Sequence, residues 1–556
     1  MPQHPGNLHL VLQDTKERHG STSAWSPLRQ LPFRALWIAT VVSNIGTWMQ
    51  NVGAAWLMTA LSPSPVMVAL VQAATSLPVF LVGLPAGALA DVVDRRRLLL
   101  WTQGWMLAAA AALGMFALAG VITPWVLLLL TFALGLGAAL NAPAWQAIVP
   151  ELVPHADLQA AVALNSVGFN VARAVGPALG GVVVALAGAG TVFLLNAASF
   201  LGVIWVLYRW QRAAPVSHWP AEHVVGAIRA GLRYVRYAPA LRAVLVRGGI
   251  FIPCGSALWA LLPLIARNEL GLDATGYGLL LGALGVGAIG GAVLLPWIQR
   301  LLTADALVVG ATVVFAAVTL ALAYVHDMAL LCPAMIAGGA AWMTLMSTFN
   351  VTVQTAVPDW VRARALAAYL LIFQGGTAAG SALWGTVAAR TGLSVALLGA
   401  AVGLLGGLVA MVRYRLVLGD DVDLRPSLHW PEPTVARTLR PEDGPVLVMI
   451  EYHIDPVRAD EFAVAMDAVR LGRRRDGAMR WGLFSDAADP SRYVETFLVE
   501  SWVEHMRQHE RVTGTDRAAQ ERAHSFHLGP TPPVVSHLLS AYAVGGASRR
   551  LSSEQE

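Results

Sequence analysis

The sequence contains few charged residues. Asp, Glu, Lys and Arg make up 13% of its 556 residues, whereas apolar residues make up 56% and the mean hydropathy is +0.58. Because soluble domains carry about 25% charged residues, this composition excludes a chain that is mainly water-soluble. Apolar runs such as 66–90 predict membrane-crossing helices, since a helix satisfies its own backbone hydrogen bonds where lipid offers no partner.

The sequence also has few cysteines and no recognisable secretory signal. The two cysteines, Cys254 and Cys332, fall within apolar runs, where cysteine behaves as a small hydrophobic residue. Neither a disulfide framework nor a metal site is therefore predicted. Residues 1–33 are polar and lack the apolar segment and cleavage site of a secretory signal, so we expect a flexible cytoplasmic tail that stays on the protein.

The apolar runs predict an all-α membrane protein with twelve transmembrane helices in two six-helix bundles, residues 34–210 and 241–415. Each run provides the roughly 20 apolar residues that one crossing needs. The predicted crossings are 35–60, 66–90, 97–120, 124–149, 158–187, 190–209, 241–266, 274–300, 304–325, 329–355, 363–389 and 393–413.

Arginine predicts the orientation of these helices. Connections on one side carry most of the arginines, as in Arg95–Arg97, whereas connections on the other side, such as 62–65 and 188–191, carry almost none, with Arg267 and Arg390 as exceptions. Positive charge is retained on the cytoplasmic side. We therefore expect both termini in the cytoplasm and a multi-pass protein of the inner (plasma) membrane, surrounded by lipid.

The two halves are similar to each other. A shift of 208 positions aligns Gln146 and Pro150 with Gln354 and Pro358, which lie in equivalent predicted helices. This similarity favours an internal duplication. The polar segment 211–240 links the halves and is predicted to contain a helix on the inner membrane surface, with a solvated linker helix as the alternative.

The composition changes after Arg415. Residues 416–443 form a linker with prolines and acidic residues, and residues 444–542 alternate between strand and helix patterns. The predicted order is strand 446–454, helix 457–471, strands 479–485 and 492–502, helix 503–523 and strand 534–539. This order predicts a small cytoplasmic α+β domain of the ferredoxin-like type. Residues 543–556 are expected to form a disordered tail.

Five ionisable residues stand between the second and third predicted helices, in the stretch GALADVVDRRR (Gly87–Arg97). Arginines at a helix end bind the anionic inner membrane surface, but that role does not explain the aspartates. Asp91 ends its helix, so its carboxylate can reach a neighbouring helix N-terminus or a guanidinium. An ion pair of this kind would form in one tilt of the two halves and break in the other.

This stretch resembles the signature of the major facilitator superfamily. The matching residues are Gly87, Leu89, Asp91, Arg95 and Arg96. The resemblance implies transport by alternating access between two bundles. It also implies a cytoplasmic latch, in which Gly87, Asp91, Arg95 and Arg96 contact the start of the eleventh helix near 361–364.

A second motif, GPALGG, lies in the fifth predicted helix. Gly176 and Gly180 belong to a face of small residues that permits close helix packing, and Pro177 permits a bend. With Gly181, the motif is similar to a signature of antiporters and exporters. Together with the C-terminal module, it makes the chain most similar to the siderophore-exporter-like branch, also called transmembrane secretion effectors. The resemblance implies efflux of small amphipathic organic compounds, siderophore or drug-like.

Polar residues within the predicted helices are candidates for lining a substrate cavity, because they need a partner in lipid. Arg173 is the leading candidate, with snorkelling to the inner surface as the alternative. Asn44, Trp48 and Asn51 share one face of the first helix, where interhelical hydrogen bonding explains them equally well. The other candidates are Gln72, Asn170, Trp259, Asn350, Gln354 and Gln374.

Acidic residues are missing from the middle of every predicted crossing. Proton-driven carriers generally use such a carboxylate, so proton coupling rests on the resemblance, and facilitated transport stays open. Nucleic acid is not expected as a partner, because the net charge is +4 and the basic residues follow the membrane topology. No metal or other cofactor is expected.

The C-terminal module resembles antibiotic biosynthesis monooxygenases in its strand order and in Trp502 and His509. The resemblance implies dimerisation and, in some relatives, oxidation of small aromatics, although fold alone does not establish an activity. His505 and His509 are spaced to hold a metal, but a solvated helix face is the favoured interpretation. A membrane-tethered enzyme or sensor is the alternative function. Docking, self-association or regulation is the expected role of the module.

Overall fold

The structure is a computed structural model that describes residues 24–210, 233–416, 423–431, 433–436 and 438–541. The predicted N-terminal tail up to residue 23 and the predicted C-terminal tail lie outside the described residues. So does most of the predicted surface helix between the halves, of which the helical turn 233–237 is described.

The chain forms two compact units. The first comprises Met1–His218, Gly249–Met346 and Leu371–Val409, and the second comprises Trp219–Gly248, Ser347–Leu370 and Ala410–Glu556. The first unit therefore holds most of the apolar helices. The second holds the α+β module together with the end segments of several helices.

Long helices follow the predicted crossings in the first half of the chain. They are α1 (Leu31–Leu61), α2 (Pro65–Val92), α3 (Arg95–Leu118), α4 (Pro124–Leu152) and α5 (Leu158–Arg209). Helix-starting residues explain these boundaries. The Asp94 side chain accepts a hydrogen bond from the Arg97 N–H at the start of α3, and Thr123 and Pro124 start α4.

One helix differs from the prediction. The sequence predicts two helices, 158–187 and 190–209, whereas α5 is one segment of 52 residues that bends at Gly188. Gly188 has a φ of 80°, a conformation that glycine adopts without the steric cost of a Cβ. A straight helix of this length would measure about 78 Å, more than twice the apolar thickness of a bilayer. The bend therefore takes the place of the predicted loop.

The second half contains six further helices. They are α6 (Pro239–Leu264), which continues into a π-helical turn (Ile265–Glu269), α7 (Ala274–Ile298), α8 (Ala304–Tyr324), α9 (Met328–Thr355), α10 (Asp359–Thr391) and α11 (Leu393–Arg413). Within the described residues, nine helices are long and apolar enough to cross a membrane, with α5 counted once. The expectation of a mostly helical membrane protein is therefore confirmed.

Glycines bring the two halves into contact within the first unit. A Cβ at Gly181 of α5 would lie 2.5 Å from the carbonyl oxygen of Ala274 at the start of α7. A Cβ at Gly285 of α7 would lie 2.6 Å from the Cα of Ala174. Hydrogen in place of a side chain thus lets the α5 and α7 backbones approach closely along several turns.

The α+β module is built on a four-stranded antiparallel sheet. Its elements are β1 (Val446–His453), α12 (Ala459–Asp476), β2 (Arg480–Ser485), β3 (Arg492–Val499), α13 (Trp502–Arg511), α14 (Gly514–His524) and β4 (Val534–Leu539), and the sheet order is β2-β3-β1-β4. Alternate residues of β1, such as Val448 and Ile450, pack against Phe462 and Met466 of α12 to form the core. The helices cover one face of the sheet.

The second predicted helix of the module, 503–523, is two helices in the structure. The chain breaks at Val512 and restarts with Thr513, whose hydroxyl accepts from the N–H of Asp516 while the Asp516 carboxylate accepts from the N–H of Thr513. This reciprocal capping box satisfies backbone donors that a helix start otherwise leaves unpaired. It therefore explains why α14 begins as a separate helix.

The segment before β1 is bound to the module by backbone hydrogen bonds. The N–H of Ser427 donates to the carbonyl of Val512, and the N–H groups of Gly514 and Thr515 donate to the carbonyls of Arg425 and Asp423. Part of the predicted linker 416–443 is therefore a structural piece of the module.

Candidate functional site

Arg173 lies opposite an aromatic side chain of the other half. Its Cζ atom is 5.9 Å from the ring centroid of Trp259 on α6, a cation–π distance. Among the described residues, no hydrogen-bond partner is found for the buried Arg173 Nε or for the Trp259 indole nitrogen. Buried donors generally have a partner, so these two nitrogens between the halves are candidates for binding a hydrogen-bond acceptor.

Trp259 belongs to an aromatic cluster in the second half. The Trp259 ring is 5.8 Å from that of Trp342, which also contacts Phe251, Phe315 and Phe373 at centroid distances of 5.5–6.2 Å. Edge-to-face and tilted pairs of this kind hold rings in defined positions. The cluster gives Trp259 a rigid apolar support next to Arg173.

The polar face predicted on α1 is largely an interhelical contact. Trp48 packs on α5, where a Cβ at Gly176 would lie 2.5 Å from its Cβ, and its ring meets Phe169 edge to face. The neighbouring Gln50 is buried and accepts a hydrogen bond from the amide of Asn196. Asn44 and Asn51 remain partly exposed on the same helix. Asn196 was not singled out from the sequence, because one amide in an apolar run gives no periodic signal.

The other predicted lining residues do not form one cluster with Arg173. The amide of Asn170 donates to the carbonyl of Ser166, one turn earlier, and the amide of Gln72 lies 3.5 Å from the Thr75 hydroxyl. Gln374 is partly exposed in the first unit. Asn350 and Gln354 lie in the second unit and hydrogen-bond to each other.

The GPALGG motif serves two interfaces. Gly176 and Gly180 face α1, where a Cβ would meet Trp48 and the Cα of Met49, whereas Gly181 faces Ala274 and Gly278 of α7. Pro177 lies at this interface, since its carbonyl oxygen is 2.7 Å from where a Cβ of Gly278 would stand. The motif therefore joins α5 to its own half and to the other half at once.

A polar contact also joins the halves at the end of α1. The Arg267 guanidinium donates to the Thr59 hydroxyl at 3.0 Å and lies over the Trp56 ring, and Trp56 stacks on Tyr277 of α7. Arg267 is one of the two exceptions to the predicted charge distribution. Its contacts with α1 give Arg267 a structural role, which the retention of positive charge on the cytoplasmic side does not predict.

The basic loop between α2 and α3 binds neighbouring helix ends. Arg95 pairs with Glu151 at the end of α4 at 2.8 Å. Arg96 donates to the carbonyls of Leu207 and Tyr208 in the last turn of α5, where a helix leaves carbonyls unpaired and carries partial negative charge. These two arginines therefore fasten α3 to α4 and α5. At Gly87, an added Cβ would meet open space.

The histidines of the module are not a solvated face. His505 is 1% exposed, and its ring packs between those of His509 and His537 at centroid distances of 5.0 and 4.8 Å. Burial lowers the pKa of His505 to about 3 and that of His509 to about 4, with further lowering from His537. The solvated-face interpretation is therefore wrong for His505. It failed because His505 packs against His537, which lies far away in the chain on β4. No metal-binding group of three side chains occurs among the residues that the structure describes.

A small cavity lies between α12, α13 and α14. It is lined by Trp430, Arg473 and Gln508 among others, and its volume is about 10 Å³, room for one water molecule. The Trp430 indole donates to Gln520 at 2.8 Å and lies over the Arg473 guanidinium. Trp430 is therefore held in the wall of this cavity by Gln520 and Arg473.

The chain is similar to solved structures of transporters. It matches a bacterial homologue of the human lysosomal transporter Spinster, in an inward-facing conformation, with a TM-score of 0.55 and 14% identity, over 71% of this chain and 96% of that chain. It matches the nucleoside transporter NupG (D323A mutant) with a TM-score of 0.56 and 14% identity, over 69% and 99%. At these identities the likeness shows the fold.

The family match and the apolar helices define a multi-pass membrane transporter of the major facilitator class. Within that class, the chain belongs to the transmembrane secretion effector family, whose family model matches residues 22–544. The matched range includes the α+β module.

Curated relatives of this chain are efflux and siderophore transporters. The multidrug efflux pump Tap of Mycolicibacterium fortuitum is 27% identical over 60% of this chain and 83% of that protein. The staphyloferrin A transporter of Staphylococcus aureus is 23% identical over 46% and 64%, and the enterobactin exporter EntS of Citrobacter koseri is 27% identical over 47% and 62%. The matches to the two siderophore transporters span less than two thirds of their length.

Proposed function

We propose that this protein exports small amphipathic organic compounds, siderophore or drug-like, from the cytoplasm by alternating access. In this proposal it lies in the inner membrane with twelve crossings, the two arms of α5 counting as two, and with both termini in the cytoplasm. The names of its relatives, a multidrug efflux pump and siderophore transporters, support this substrate class.

The observation that best supports the proposal concerns Arg173 and Trp259, which lie between the two halves. Among the described residues, no hydrogen-bond partner is found for the Arg173 Nε or for the Trp259 indole nitrogen. A cation beside a rigid indole suits a ligand that has an apolar ring and an acidic or hydrogen-bond-accepting group. The Arg267–Thr59 and Gly181–Ala274 contacts support a conformation that is closed at the arginine-poor end. A cargo would then reach Arg173 from the cytoplasm.

We include proton coupling in the proposal as the source of energy for export. The described crossings carry no acidic residue near their middle, so the proposed coupling group is a carboxylate at the cytoplasmic edge, such as Asp91 or Glu151, or an acidic group of the cargo itself. Transport into vesicles with and without an imposed pH gradient separates coupled from facilitated movement.

The experiment that tests the site compares two arginine variants in reconstituted vesicles. We expect Arg173→Gln to reduce transport of an acidic aromatic compound at least tenfold, because it removes the charge that faces the cargo. Arg209→Gln is the matched control, since Arg209 makes a similar cation–π contact with Trp205 at the end of α5. Equal transport by both variants would remove Arg173 from the site.

The α+β module is proposed to be a ferredoxin-like domain that does not act as an enzyme. The sheet order supports the ferredoxin-like fold, and the small volume of the cavity, room for one water molecule, supports the absence of an enzymatic role. A tail that begins before Asp423, and so keeps the segment bound to α13 and α14, tests it, because turnover of an aromatic compound by this tail alone would restore the enzyme alternative.

Self-association through the module is proposed as well. The sheet face opposite the helices carries Leu447, Leu498 and Leu538 in one cross-strand row, which a second copy of the module would cover. Exchanging Leu538 for Lys should then lower the mass of the detergent-solubilised particle.

A further inference from the structure

In the second unit, the module contacts two segments that adjoin long helices. The Arg511 guanidinium, at the end of α13, lies 4.3 Å from the ring centroid of Trp360, the second residue of α10. Arg511 also donates to Glu504 at 2.7 Å, and Glu504 accepts from Arg233 at 2.9 Å. Arg233 belongs to the helical turn that precedes α6. One carboxylate of the module therefore connects with both segments.

A second set of contacts reinforces the first. Tyr234, 1% exposed, meets the Trp360 ring edge to face at 5.7 Å. The Arg475 guanidinium of α12 lies 5.5 Å from the Tyr234 ring and pairs with Asp476 and Asp516 at 2.9 and 2.5 Å. The two rings are therefore enclosed between Arg475 and Arg511, and both arginines are fixed by carboxylates of the module.

The charges in this contact are desolvated and balanced. The side chains of Arg511, Glu504 and Arg233 are 8%, 14% and 22% exposed. Burial alone would raise the pKa of Glu504, but hydrogen bonds and charge from Arg511 and Arg233 hold it below its ordinary value. Exposed ion pairs contribute little to stability, whereas the loss of one partner of a buried pair is strongly destabilising because it leaves the other charge uncompensated. The contact is thus built as a lasting interface.

We propose that the module is a clamp, which holds the start of α10 against the segment before α6 through Arg511, Glu504 and Arg475. The start of α10 is the part of the chain beside 361–364, where a cytoplasmic latch is expected. Because the clamp links α10 to α6, it makes the inner ends of these two helices move together. By this means it controls the rate at which the transporter changes state, a last step that rests on the proposed transport function.

The test uses hydrogen–deuterium exchange on the full chain in lipid nanodiscs. In Arg511→Gln, the amides of 233–237 and of the first turn of α10 should exchange at least tenfold faster, while β1 and β3 stay protected because the module is still folded. Arg517→Gln is the control. Arg517 makes an exposed ion pair with Glu521 on the neighbouring helix α14, so its loss should leave both segments at wild-type rates.

A second variant avoids any effect on the folding of the module. Trp360→Leu lies outside the module and should also speed the exchange of 233–237, since Tyr234 loses its aromatic partner. Wild-type exchange of 233–237 in both Arg511→Gln and Trp360→Leu would overturn the clamp.

The link to transport has its own readout. Turnover in vesicles should change at least twofold in Arg511→Gln while the half-saturation concentration stays the same. Unchanged turnover alongside faster exchange would overturn the control of transport. If the proposed export function itself is wrong, the wild-type protein moves no compound, and the exchange experiment still decides the clamp.

Discussion

At the residue scale, hydrogen atoms in place of side chains determine the closest contact between the two halves. Gly181 lies against Ala274 and Gly278, and no larger residue fits there without moving a backbone. The polar residues at this scale divide into two groups. Gln50 and Asn196 hydrogen-bond to each other, whereas no partner is found among the described residues for the buried Arg173 Nε and Trp259 indole nitrogen.

We expect Gly181→Ala to weaken the contact between α5 and α7. The added methyl group would overlap a backbone carbonyl, and overpacking of this kind costs about 1–3 kcal/mol, enough to shift a two-state equilibrium roughly fivefold or more. Distances between spin labels at Ser62 and Leu272 should therefore shift towards longer values. Gly202→Ala is the control, because Gly202 is exposed and a Cβ there meets open space. An unchanged distance distribution in Gly181→Ala would contradict this assignment.

The sequence identified Arg173 and the glycine motif because both are unusual for their surroundings. An arginine in an apolar run is costly, and a repeat of small residues needs a packing reason. Asn196 and the burial of His505 were missed because their partners are far away in the chain, at Gln50 and His537. No local pattern carries that information.

At the element scale, helix positions follow from apolar runs that end at proline or polar residues, so α1 to α11 lie close to the predicted crossings. Two boundaries differ. The bend in α5 depends on a single glycine at φ 80°, and the break between α13 and α14 depends on a capping box inside a polar stretch. Neither changes the hydrophobic period from which helices are predicted.

The packing of α13 against β4 makes the module sensitive to acid. His505 and His509 have folded-state pKa values of about 3 and 4, below the ordinary 6.5. As the pH falls from about 6.5 towards 4.5, the unfolded chain binds protons that the folded module does not bind. The free energy of unfolding should therefore fall by about 1.4 kcal/mol per pH unit for each histidine.

Pulse proteolysis of the module in urea, on the full chain at pH 7.5, 6 and 5, measures this loss. His509→Gln should reduce the slope, and His326→Gln should not, since His326 is 57% exposed and lies outside the module. The same stability at pH 7.5 and pH 5 would contradict the burial of these imidazoles as neutral groups.

At the scale of the whole molecule, the two halves touch along α5 and α7 and at the Arg267–Thr59 contact, while the loop arginines Arg95 and Arg96 bind only partners of their own half among the described hydrogen bonds. A transporter in this arrangement must exchange one set of contacts for another during each cycle. In the predicted latch, Asp91 would belong to the opposite set of contacts.

We expect Asp91→Asn to slow turnover in vesicles several-fold and to change the half-saturation concentration less. In the predicted latch, the charge of Asp91 acts between states and not in cargo binding. Asp94→Asn is the control, because Asp94 caps α3 and asparagine caps a helix about as well as aspartate. An equal turnover of Asp91→Asn and the wild type would remove the latch.

Backbone hydrogen bonds join 423–427 to the residues around the break between α13 and α14. Asp423 and Arg425 accept hydrogen bonds from the N–H groups of Thr515 and Gly514, and Ser427 donates to Val512. Residues 423–427 are therefore part of the same folded piece as α13 and α14. When the module separates from Trp360, this segment should stay with the module, because its backbone hydrogen bonds are independent of the contact with α10.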